Sequence, residues 1–502
     1  MDLTKLKSGS DVRGTSWGAE DEIELTDEAV RAIVNAYVVW LAEKTGKPDL
    51  KIAVGHDSRL SADRITNAAV SALKESGTDI YLCGLASTPA MFMLTRFEGV
   101  MADGSIMITA SHMPSDKNGL KFFTREGGLS GGEIGEILQM ANEGKRRRGH
   151  TTRSYTRDFM QLYCDHLVEF VRRSTGNDWP LAGFKIVVDA GNGAGGFYAE
   201  RVLKPLGAVT TGSQFLEPDG RFPNHIPNPE NKDAMESISQ CVVRNGADLG
   251  IIFDTDVDRA AIVSRDGTEI NRNRLIALAA DIVLGEQPGA TIVTDSVTSD
   301  GLKKFIESRG GVHHRFKRGY RNVIDEAIRL NKEGKNAPLA METSGHAAFK
   351  ENYFLDDGAY LATRVVIKMA QLRARGTDIA SLIADLEIPQ EEREVRFCFT
   401  REDWAAYGNM LLGKLAEFCA DKQKESVRVA PDNHEGIRAN IDYADGWFLA
   451  RMSVHDPVMV VNIESNAYGG VALIARFLYA FFSSFSGVDG LTELKVIAQG
   501  SV

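Results

Sequence analysis

The chain has 502 residues, more than one hydrophobic core normally supports, so three or four domains are expected. Its formal net charge of -11 argues against nucleic acid and against an anionic membrane as partners, because both favour a cationic protein surface. Five cysteines without CxxC spacing indicate neither a disulfide framework nor a zinc ribbon, and the first residues contain no apolar signal segment, so a cytoplasmic location is expected.

The first 152 residues alternate between helical and strand-like patterns, which is typical of a mainly parallel sheet. The predicted elements are helices over 25–44 and 62–76 and strands over 52–54, 80–83 and 106–108. The last of these strands leads into TASHMPSDKNGLK (109–121), which places Ser111 in a polar loop. Open α/β sheets bind ligands at the ends of such strands, so Ser111 is a candidate functional residue.

The second segment begins after KRRRGH (145–150), which fits a solvated helix end or a domain boundary. Its predicted elements are a helix over 155–173, a strand over 184–190, the loop GNGAGG (191–196) and a helix that ends at Leu203. The loop resembles a dinucleotide-binding turn. The full glycine spacing and the acidic ribose partner are not both present, which favours an ordinary tight turn.

Two later strands also lead into polar loops. The strand LGIIF (249–253) is followed by DTDVDR, and the strand PLAM (338–341) is followed by ETSGH. Beyond residue 389, short alternating strands with helices over 403–420 and 470–482 indicate an α+β domain. The predicted fold is α/β: three similar α/β domains with mixed, mainly parallel sheets (1–152, 153–266, 267–388) plus a C-terminal α+β domain (389–502).

The loop after LGIIF places Asp254, Asp256 and Asp258 at alternate positions. Carboxylates so close together repel one another, and a hard divalent cation with oxygen ligands relieves that repulsion. The sequence argues against an EF-hand, because Arg259 stands where that loop needs glycine and Arg265 where it needs the bidentate glutamate. A solvated acidic turn is the alternative, but an apolar strand leading directly into three aspartates favours a metal site, with Mg²⁺ as the hard cation. Arg259 beside the metal would suit a phosphate.

The remaining two loops carry weaker signals. In ETSGH, Glu342, Ser344 and His346 can hydrogen-bond the vicinal hydroxyls of a sugar, although turn and cap roles are the alternative. In RMSVHDP (451–457), Arg451 and Ser453 form a pattern that is typical of a phosphate-binding loop.

Together the four loops resemble those of the α-D-phosphohexomutases. TASHMP, DTDVDR, ETSGH and the late RMSVHDP occur in the order and at about the separations of that family, and the resemblance to its phosphomannomutase/phosphoglucomutase branch covers nearly the whole chain. It implies a heart-shaped molecule of four domains around a central cleft, with one loop from each domain. The implied activity interconverts hexose 1-phosphate and hexose 6-phosphate, of mannose or glucose, through a phosphoserine and a hexose 1,6-bisphosphate.

The resemblance also implies roles for individual residues. Ser111 would carry the phosphoryl group and, with Asp254, Asp256 and Asp258, would bind Mg²⁺. Arg13, His112, Lys121 and Arg259 would support phosphoryl transfer. The sugar would contact Glu342, Ser344 and His346, and its other phosphate would contact Arg451, Ser453 and His455. The implied partners are a hexose phosphate substrate and a hexose 1,6-bisphosphate activator, in a monomer or small homo-oligomer.

Two positions depart from the family pattern. Val454 and His455 replace the Gly-Thr pair that commonly stands in the last loop, and Asp456 replaces a glutamate, so the phosphate cradle can have a different shape. Tyr320 in FKRGYR stands where relatives that accept both sugars often have histidine. Both departures concern the sugar phosphate rather than the phosphoryl-transfer centre.

Two other functions are compatible with parts of the pattern. In a haloacid-dehalogenase-type phosphatase or phosphotransferase, Asp254 would be the nucleophile and FLDDG (354–358) would supply the late acidic pair. Such enzymes usually place the nucleophile near the N-terminus and have no use for TASHMP. The second alternative is a sugar-phosphate-binding homologue without turnover. A phosphorylatable serine near a metal site argues against it, because binding alone needs no such hydroxyl.

Overall fold

The computed structural model describes residues 2–149, 152–156, 158–373, 376–422, 426–453 and 456–500. The chain divides into two compact units. The first unit contains residues 1–282 and 344–382, and the second contains residues 283–343 and 383–502. The predicted limits of the four domains stay predictions.

The first sheet lies in the first unit and has the strand order β1-β2-β6-β5-β3-β4-β8, with β7 paired to β6. Its strands are β1 (Lys7–Ser8), β2 (Asp11–Thr15), β3 (Lys51–His56), β4 (Asp79–Leu85), β5 (Gly104–Ile108), β6 (Lys117–Thr124), β7 (Gly127–Gly128) and β8 (Ser154–Thr156). Its helices are α1 (Asp27–Thr45), α2 (Ala62–Glu75), α3 (Thr88–Met93) and α4 (Gly131–Asn142). The strands β5, β3, β4 and β8 run parallel, and β6 and β2 run antiparallel to their neighbours. The sheet is therefore mixed, as predicted.

The predicted helix over 155–173 is wrong at its start. Strand β8 adds to the first sheet beside β4, where Tyr81 stands opposite Tyr155. Helix α5 (Phe159–Thr175) follows, and the side chain of Asp158 caps it by accepting the amide of Gln161 at 3.1 Å. The sequence Ser-Tyr-Thr suits an edge strand and pairs with β4. The helix therefore begins only after Asp158, the residue that can serve as its N-cap.

The second sheet also lies in the first unit and has the strand order β12-β11-β10-β9. Its strands are β9 (Ile186–Asp189), β10 (Leu249–Phe253), β11 (Ala260–Ser264) and β12 (Glu269–Ile270). The helices α6 (Lys232–Asn245) and α7 (Asn273–Glu286) follow β9 and β12. The predicted helix ending at Leu203 is present as a π-helix (Tyr198–Leu203), and a 3-10 turn (Lys204–Leu206) follows it. Pro205 has no amide hydrogen, so an α-helical hydrogen-bond ladder cannot continue through it.

The third segment contributes elements to both units. In the second unit, β13 (Thr291–Asp295) pairs in parallel with β14 (Val312–Phe316) and with β15 (Leu339–Met341), accompanied by α8 (Asp300–Ser308) and α9 (Tyr320–Lys332). In the first unit, β16 (Ala347–Phe349) pairs antiparallel with β17 (Leu355–Asp356), and α10 (Gly358–Arg373) follows.

The C-terminal segment belongs to the second unit and forms an antiparallel sheet with the order β19-β20-β21-β22-β18-β23. Its strands are β18 (Glu391–Phe399), β19 (Val427–Val429), β20 (Ile437–Ile441), β21 (Gly446–Met452), β22 (Val458–Ser465) and β23 (Val488–Asp489). Its helices are α11 (Trp404–Asp421), α12 (Gly470–Phe482) and α13 (Thr492–Ala498). Alternate residues of β18, such as Val395 and Phe397, are fully buried, and they pack in one core with Leu478 and Phe482 of α12. The predicted α+β arrangement is present.

The shorter helices are 3-10 turns at Leu3–Leu6, Glu20–Glu22, Lys350–Asn352, Ala380–Ile383 and Asp442–Ala444. Within the described part of the chain, no helix combines the length and the apolar character that crossing a membrane requires.

Candidate active site

The loop after β5 fixes Ser111 in an uncommon conformation. Its φ angle is +51°, in the left-handed region that non-glycine residues rarely adopt. The amide of Ser111 donates to Thr109 Oγ1 at 2.8 Å, and its hydroxyl donates to Asp254 Oδ2 at 2.9 Å. The first sheet thus presents the serine hydroxyl directly to the loop that follows β10.

That loop brings the predicted metal ligands together. One side-chain oxygen from each of Asp254, Asp256 and Asp258 lies within 4.8 Å of the other two, and all three residues are buried. Val257, between two of the ligands, has a φ of +67°, which is strained for a β-branched residue. Such strain is often found where a backbone must aim side chains at a functional point.

Electrostatics and unsatisfied oxygens support a cation at this point. Burial, with repulsion from Asp258 and Asp256, raises the pKa of Asp254 well above its usual value. Burial opposes ionisation of Asp258, but Lys121, His346 and Arg259 together hold the pKa of that carboxyl below its usual value. The Oδ1 atoms of Asp256 and Asp258 are buried and accept no hydrogen bond in the described part of the chain. Buried oxygen donors without a partner fit a hard divalent cation.

Lys121 reaches the same cluster from the neighbouring strand. Strand β6 pairs antiparallel with β5, and Lys121 stands opposite Met107. Its Nζ lies 2.5 Å from Asp258 Oδ2 and 3.4 Å from Asp256 Oδ2. The ammonium group therefore compensates part of the buried negative charge beside Ser111.

Arg13 and His112 are two further predicted residues of this site. Arg13 is far from Ser111 in sequence, and His112 directly follows it. Arg13 is on β2, and its Nη1 donates to the carbonyl oxygen of Ala110 at 3.4 Å. The Nδ1 atom of His112 lies 3.3 Å from Ser111 Oγ. Burial, with the nearby cations Arg259 and Arg13, lowers the pKa of His112 to about 3. His112 is therefore neutral near pH 7 and can accept or donate one hydrogen bond at the serine.

Arg259 follows the loop of the three aspartates (254–258), which we call the metal loop, and connects it to two further residues. Its amide donates to Asp254 Oδ1 at 3.2 Å, and its Nε donates to His346 Nε2 at 2.9 Å. Its Nη1 lies 3.3 Å from Glu230 Oε2. Gly345 has a φ of +95°, and a Cβ atom there would lie 2.8 Å from the carbonyl oxygen of Ala260, so only glycine permits this approach.

His346 is also paired with a carboxylate that sequence reasoning did not assign to it. Its Nδ1 contacts Asp356 Oδ2, and Asp258 Oδ1 lies 3.9 Å from the same nitrogen. The adjacent Asp357 has a structural role, since it accepts the Tyr360 amide at 2.8 Å and the Tyr163 hydroxyl at 2.6 Å. The acidic pair in FLDDG is therefore divided between the site and the start of α10.

The sugar-contact residues are divided between the two compact units. Ser344 belongs to the first unit and is buried, and its hydroxyl has no hydrogen-bond partner in the described part of the chain. Glu342 belongs to the second unit, where its Oε1 accepts the amide of Gly319 at 2.6 Å. Gly319 lies in FKRGYR, so Glu342 orders that loop within its own unit.

The predicted phosphate-binding residues lie in the second unit. Arg451 is at the end of β21, is largely buried, and lies 4.0 Å from Glu435. The amide of Ser453 donates to the carbonyl oxygen of Val458 at 2.8 Å, and its hydroxyl accepts the amide of Asp456 at 3.3 Å. Val454 and His455 lie outside the described residues, so the predicted contact of His455 stays a prediction.

Comparison with known proteins connects this geometry to one family. Models of the phosphoglucomutase/phosphomannomutase alpha/beta/alpha domains I, II and III match residues 5–148, 161–267 and 271–387. The chain belongs to the phosphoglucomutase/phosphomannomutase family. This confirms the predicted α-D-phosphohexomutase resemblance, the predicted fold class and the predicted enzyme class, an intramolecular phosphotransferase of the isomerase type.

Individual relatives match over most of their length. A phosphoglucomutase of Neisseria gonorrhoeae is 30% identical over 468 residues, which are 92% of this chain and 94% of the relative. A phosphomannomutase/phosphoglucomutase of Pseudomonas putida is 29% identical, over 85% of this chain and 87% of its own. The crystal structure of a phosphoglucomutase/phosphomannomutase family protein from Burkholderia thailandensis has 26% identity and a TM-score of 0.77, covering 96% of this chain and 98% of its own.

The structure of this family member also shows residues that sequence reasoning missed. Thr88 holds Asp256, since its hydroxyl donates to Asp256 Oδ2 at 2.6 Å and its amide donates to the Asp256 carbonyl oxygen at 2.8 Å. Glu230 contacts Arg259, and Glu435 lies near Arg451. The sequence around Thr88 carries only the signal of a helix start, Ser87-Thr88-Pro89, which gives no indication of a distant aspartate.

The loop GNGAGG supports the metal loop instead of a nucleotide. The amide of Ala194 donates to the carbonyl oxygen of Thr255 at 2.8 Å. A Cβ atom at Gly193 would lie 2.6 Å from that oxygen and 2.8 Å from Thr255 Cα. The tight turn thus allows the backbone between Asp254 and Asp256 to approach closely, which is the ordinary reason for glycine in such a turn.

Gly193→Ala is therefore expected to displace the metal loop. The affinity for Mg²⁺ should fall by about 10- to 100-fold, the range found when residues that support metal ligands are changed. The measurement is the Mg²⁺ concentration that gives half-maximal activity. Gly413→Ala in α11 is the matched control, because a Cβ there meets no atom within 4 Å. Equal Mg²⁺ requirements in the two variants would contradict this role of the turn.

Proposed function

We propose that this protein interconverts hexose 1-phosphate and hexose 6-phosphate, of glucose or mannose, through a phosphoserine at residue 111 and a hexose 1,6-bisphosphate. One observation carries the proposal: the Ser111 hydroxyl lies 2.9 Å from Asp254, beside three clustered aspartates and Lys121. Metal-competent carboxylates, a buried ammonium group and a fixed hydroxyl are what phosphoryl transfer requires, because that reaction depends on charge neutralisation and in-line positioning.

The residues of the first unit divide the work of that transfer. As the sugar hydroxyl attacks phosphorus, a bond from phosphorus to the sugar oxygen forms and the bond to Ser111 Oγ breaks. Ser111 Oγ leaves with the bonding electron pair, and the proton lost by the sugar hydroxyl restores the serine hydroxyl. Asp254, Asp256 and Asp258 would hold a Mg²⁺ ion, which would stabilise the negative charge of the phosphoryl oxygens. Lys121 and Arg259 add positive charge beside the group, while Arg13 holds the backbone of the serine loop at Ala110.

The other predicted residues recognise the substrate. Glu342, Ser344 and His346 would contact sugar hydroxyls, and His346 is oriented for that contact by Arg259 and Asp356. Arg451, Ser453 and His455 would hold the phosphate that does not react. A bisphosphate intermediate has a phosphate at each end, so one such phosphate site serves both orientations of the intermediate.

The same proposal names a cation, an activator, a cellular location and a binding partner for the protein. The cation is Mg²⁺, and a hexose 1,6-bisphosphate is the activator that phosphorylates Ser111. The protein works in the cytoplasm as a monomer or small homo-oligomer, with a hexose phosphate as its ligand and without nucleic acid or membrane as a partner.

A substrate panel tests this function directly. Glucose 1-phosphate, mannose 1-phosphate and glucosamine 1-phosphate are supplied with Mg²⁺ and hexose 1,6-bisphosphate, and formation of the corresponding 6-phosphates is measured. We expect turnover of the glucose or the mannose compound. Binding of these compounds without conversion would support the sugar-phosphate-binding alternative. Release of inorganic phosphate with a phosphorylated Asp254 would support the haloacid-dehalogenase-type alternative.

Arg451→Ala is expected to weaken substrate binding much more than phosphoryl transfer. Loss of a buried arginine contact to phosphate costs about 2 kcal/mol or more, which corresponds to a rise in KM of at least about 30-fold. Steady-state kinetics with the preferred hexose phosphate measures the change. The control is Arg428→Ala on β19, an exposed arginine of the same compact unit paired with Asp442. An unchanged KM in Arg451→Ala would remove Arg451 from the phosphate site.

A further inference from the structure

A buried guanidinium lies beneath the serine loop. Arg59 belongs to GHDSR (55–59), the end of β3 and the first residues of its connection to α2, and its side chain is 0% exposed. Its Nη1 donates to the carbonyl oxygens of Pro114 and Lys117 at 2.6 and 2.7 Å. Its Nη2 donates to the carbonyl oxygens of Ser111 and Met113, each at 2.6 Å. One side chain therefore holds carbonyl groups along the whole loop from residue 111 to residue 117.

A carboxylate links the same guanidinium to the serine amide. Asp57 Oδ2 lies 3.3 Å from Arg59 Nε and accepts the Thr109 hydroxyl at 2.7 Å. Thr109 Oγ1 in turn accepts the Ser111 amide at 2.8 Å. Asp57 Oδ1 accepts the Arg59 amide at 3.0 Å, so the arginine and its partner are fixed to each other. Both the amide and the carbonyl group of Ser111 are thus held from the GHDSR segment.

This arrangement explains how a serine remains in the left-handed region. A non-glycine residue with a φ of +51° is strained, and strain of about 1 to 3 kcal/mol persists only where surrounding contacts determine the conformation. The four hydrogen bonds from Arg59 to carbonyl oxygens are contacts that fix the backbone conformation around Ser111. A planar guanidinium with a fixed set of N–H donors suits several carbonyl oxygens at once, whereas the ammonium group of lysine is a single point with three donors.

We propose that Arg59 is a positioning residue for phosphoryl transfer, which fixes the loop 111–117 so that Ser111 Oγ stays aimed at Asp254. We call the four hydrogen bonds from Arg59 to carbonyl oxygens of this loop the clamp. The inference rests on the proposed function, because it explains the clamp by the needs of phosphoryl transfer. Phe222 covers the guanidinium, with its ring centroid 5.5 Å from Arg59 Cζ. The clamp is therefore closed off from solvent, and its hydrogen bonds are not weakened by competing water.

The inference predicts a specific pattern of kinetic change. Arg59→Ala should lower kcat by about 100-fold, as a displacement on the order of 1 Å does, with little change in KM for the hexose phosphate. Arg59→Lys keeps the buried charge and should lower kcat by at least about 10-fold, because it cannot hold all four carbonyl groups. The rate of Ser111 phosphorylation by hexose 1,6-bisphosphate, followed by intact mass, should fall in parallel.

Chemical rescue separates positioning from a general effect on folding. Guanidinium chloride at a non-denaturing concentration should restore part of the kcat of Arg59→Ala, and urea at the same concentration should not. Arg31→Ala, an exposed arginine paired with Glu75, is the control and should keep wild-type kinetics. Thermal unfolding and circular dichroism of Arg59→Lys check that the variant is folded.

Two results would overturn the inference while leaving the proposed function intact. One is a wild-type rate of Ser111 phosphorylation in both Arg59 variants. The other is a loss of rate that follows the loss of folded protein and is not restored by guanidinium. A wild-type protein that takes up no phosphoryl group on Ser111 would instead reject the proposed function, and this inference with it.

Discussion

Ser111→Ala is expected to abolish mutase turnover, with kcat lower by on the order of 10⁴-fold or more, as for loss of a covalent nucleophile. The variant lacks the oxygen that accepts the phosphoryl group, which lies 2.9 Å from Asp254 Oδ2 in the wild type. The hexose phosphate should still bind, because the proposed phosphate contacts lie elsewhere in the chain. The coupled mutase assay measures turnover, and calorimetry measures binding.

Intact-mass measurement identifies the phosphorylated residue. After incubation with hexose 1,6-bisphosphate, the wild-type protein should gain one phosphoryl group and Ser111→Ala should gain none. Ser115→Ala is the matched control from the same loop, and it should be phosphorylated and active like the wild type. A phosphoryl group on Ser111→Ala that disappears in Asp254→Asn would point to the aspartate as nucleophile and contradict the mutase mechanism.

Patterns that are local in the sequence predicted the elements and the loops well. The strand LGIIF and the helix over 470–482 are present with the predicted limits, because apolar runs bounded by turn residues determine them locally. The inaccurate start of the helix predicted over 155–173 depends on tertiary context. Strand β8 forms there because β4 offers it an edge to pair with.

The site shows the same division between local and tertiary information. Asp254, Asp256 and Asp258 are close in sequence and follow a buried strand, so their meeting point could be predicted from spacing alone. The contacts of Thr88 with Asp256, of Asp356 with His346 and of Arg59 with the serine loop join segments that are far apart or carry no motif. Those contacts depend on which strands and loops lie next to each other in the folded chain, and local sequence patterns do not specify that.

Asp256→Asn is expected to separate metal binding from folding. The substitution keeps the side-chain volume and removes one charge from a buried cluster, so repulsion among the carboxylates falls. Without metal, the variant should therefore be at least as stable as the wild type. With Mg²⁺, the wild type should gain stability by ligand binding, about 2.7 kcal/mol at 100 times Kd, and the variant should gain little. Thermal unfolding with and without Mg²⁺ measures both effects.

Activity should follow the same order. Changes in residues that only support metal ligands cost about 10- to 100-fold, so loss of a ligand should weaken Mg²⁺ binding by at least about 100-fold. A chelator should abolish wild-type turnover, and added Mg²⁺ should restore it. Asp165→Asn on α5, a surface aspartate of the same unit, is the control and should behave as the wild type. Full activity of Asp256→Asn in metal-free buffer would exclude the cluster as a metal site, and neighbouring side chains such as Lys121, Arg259 and His346 would then compensate the carboxylates of the wild type.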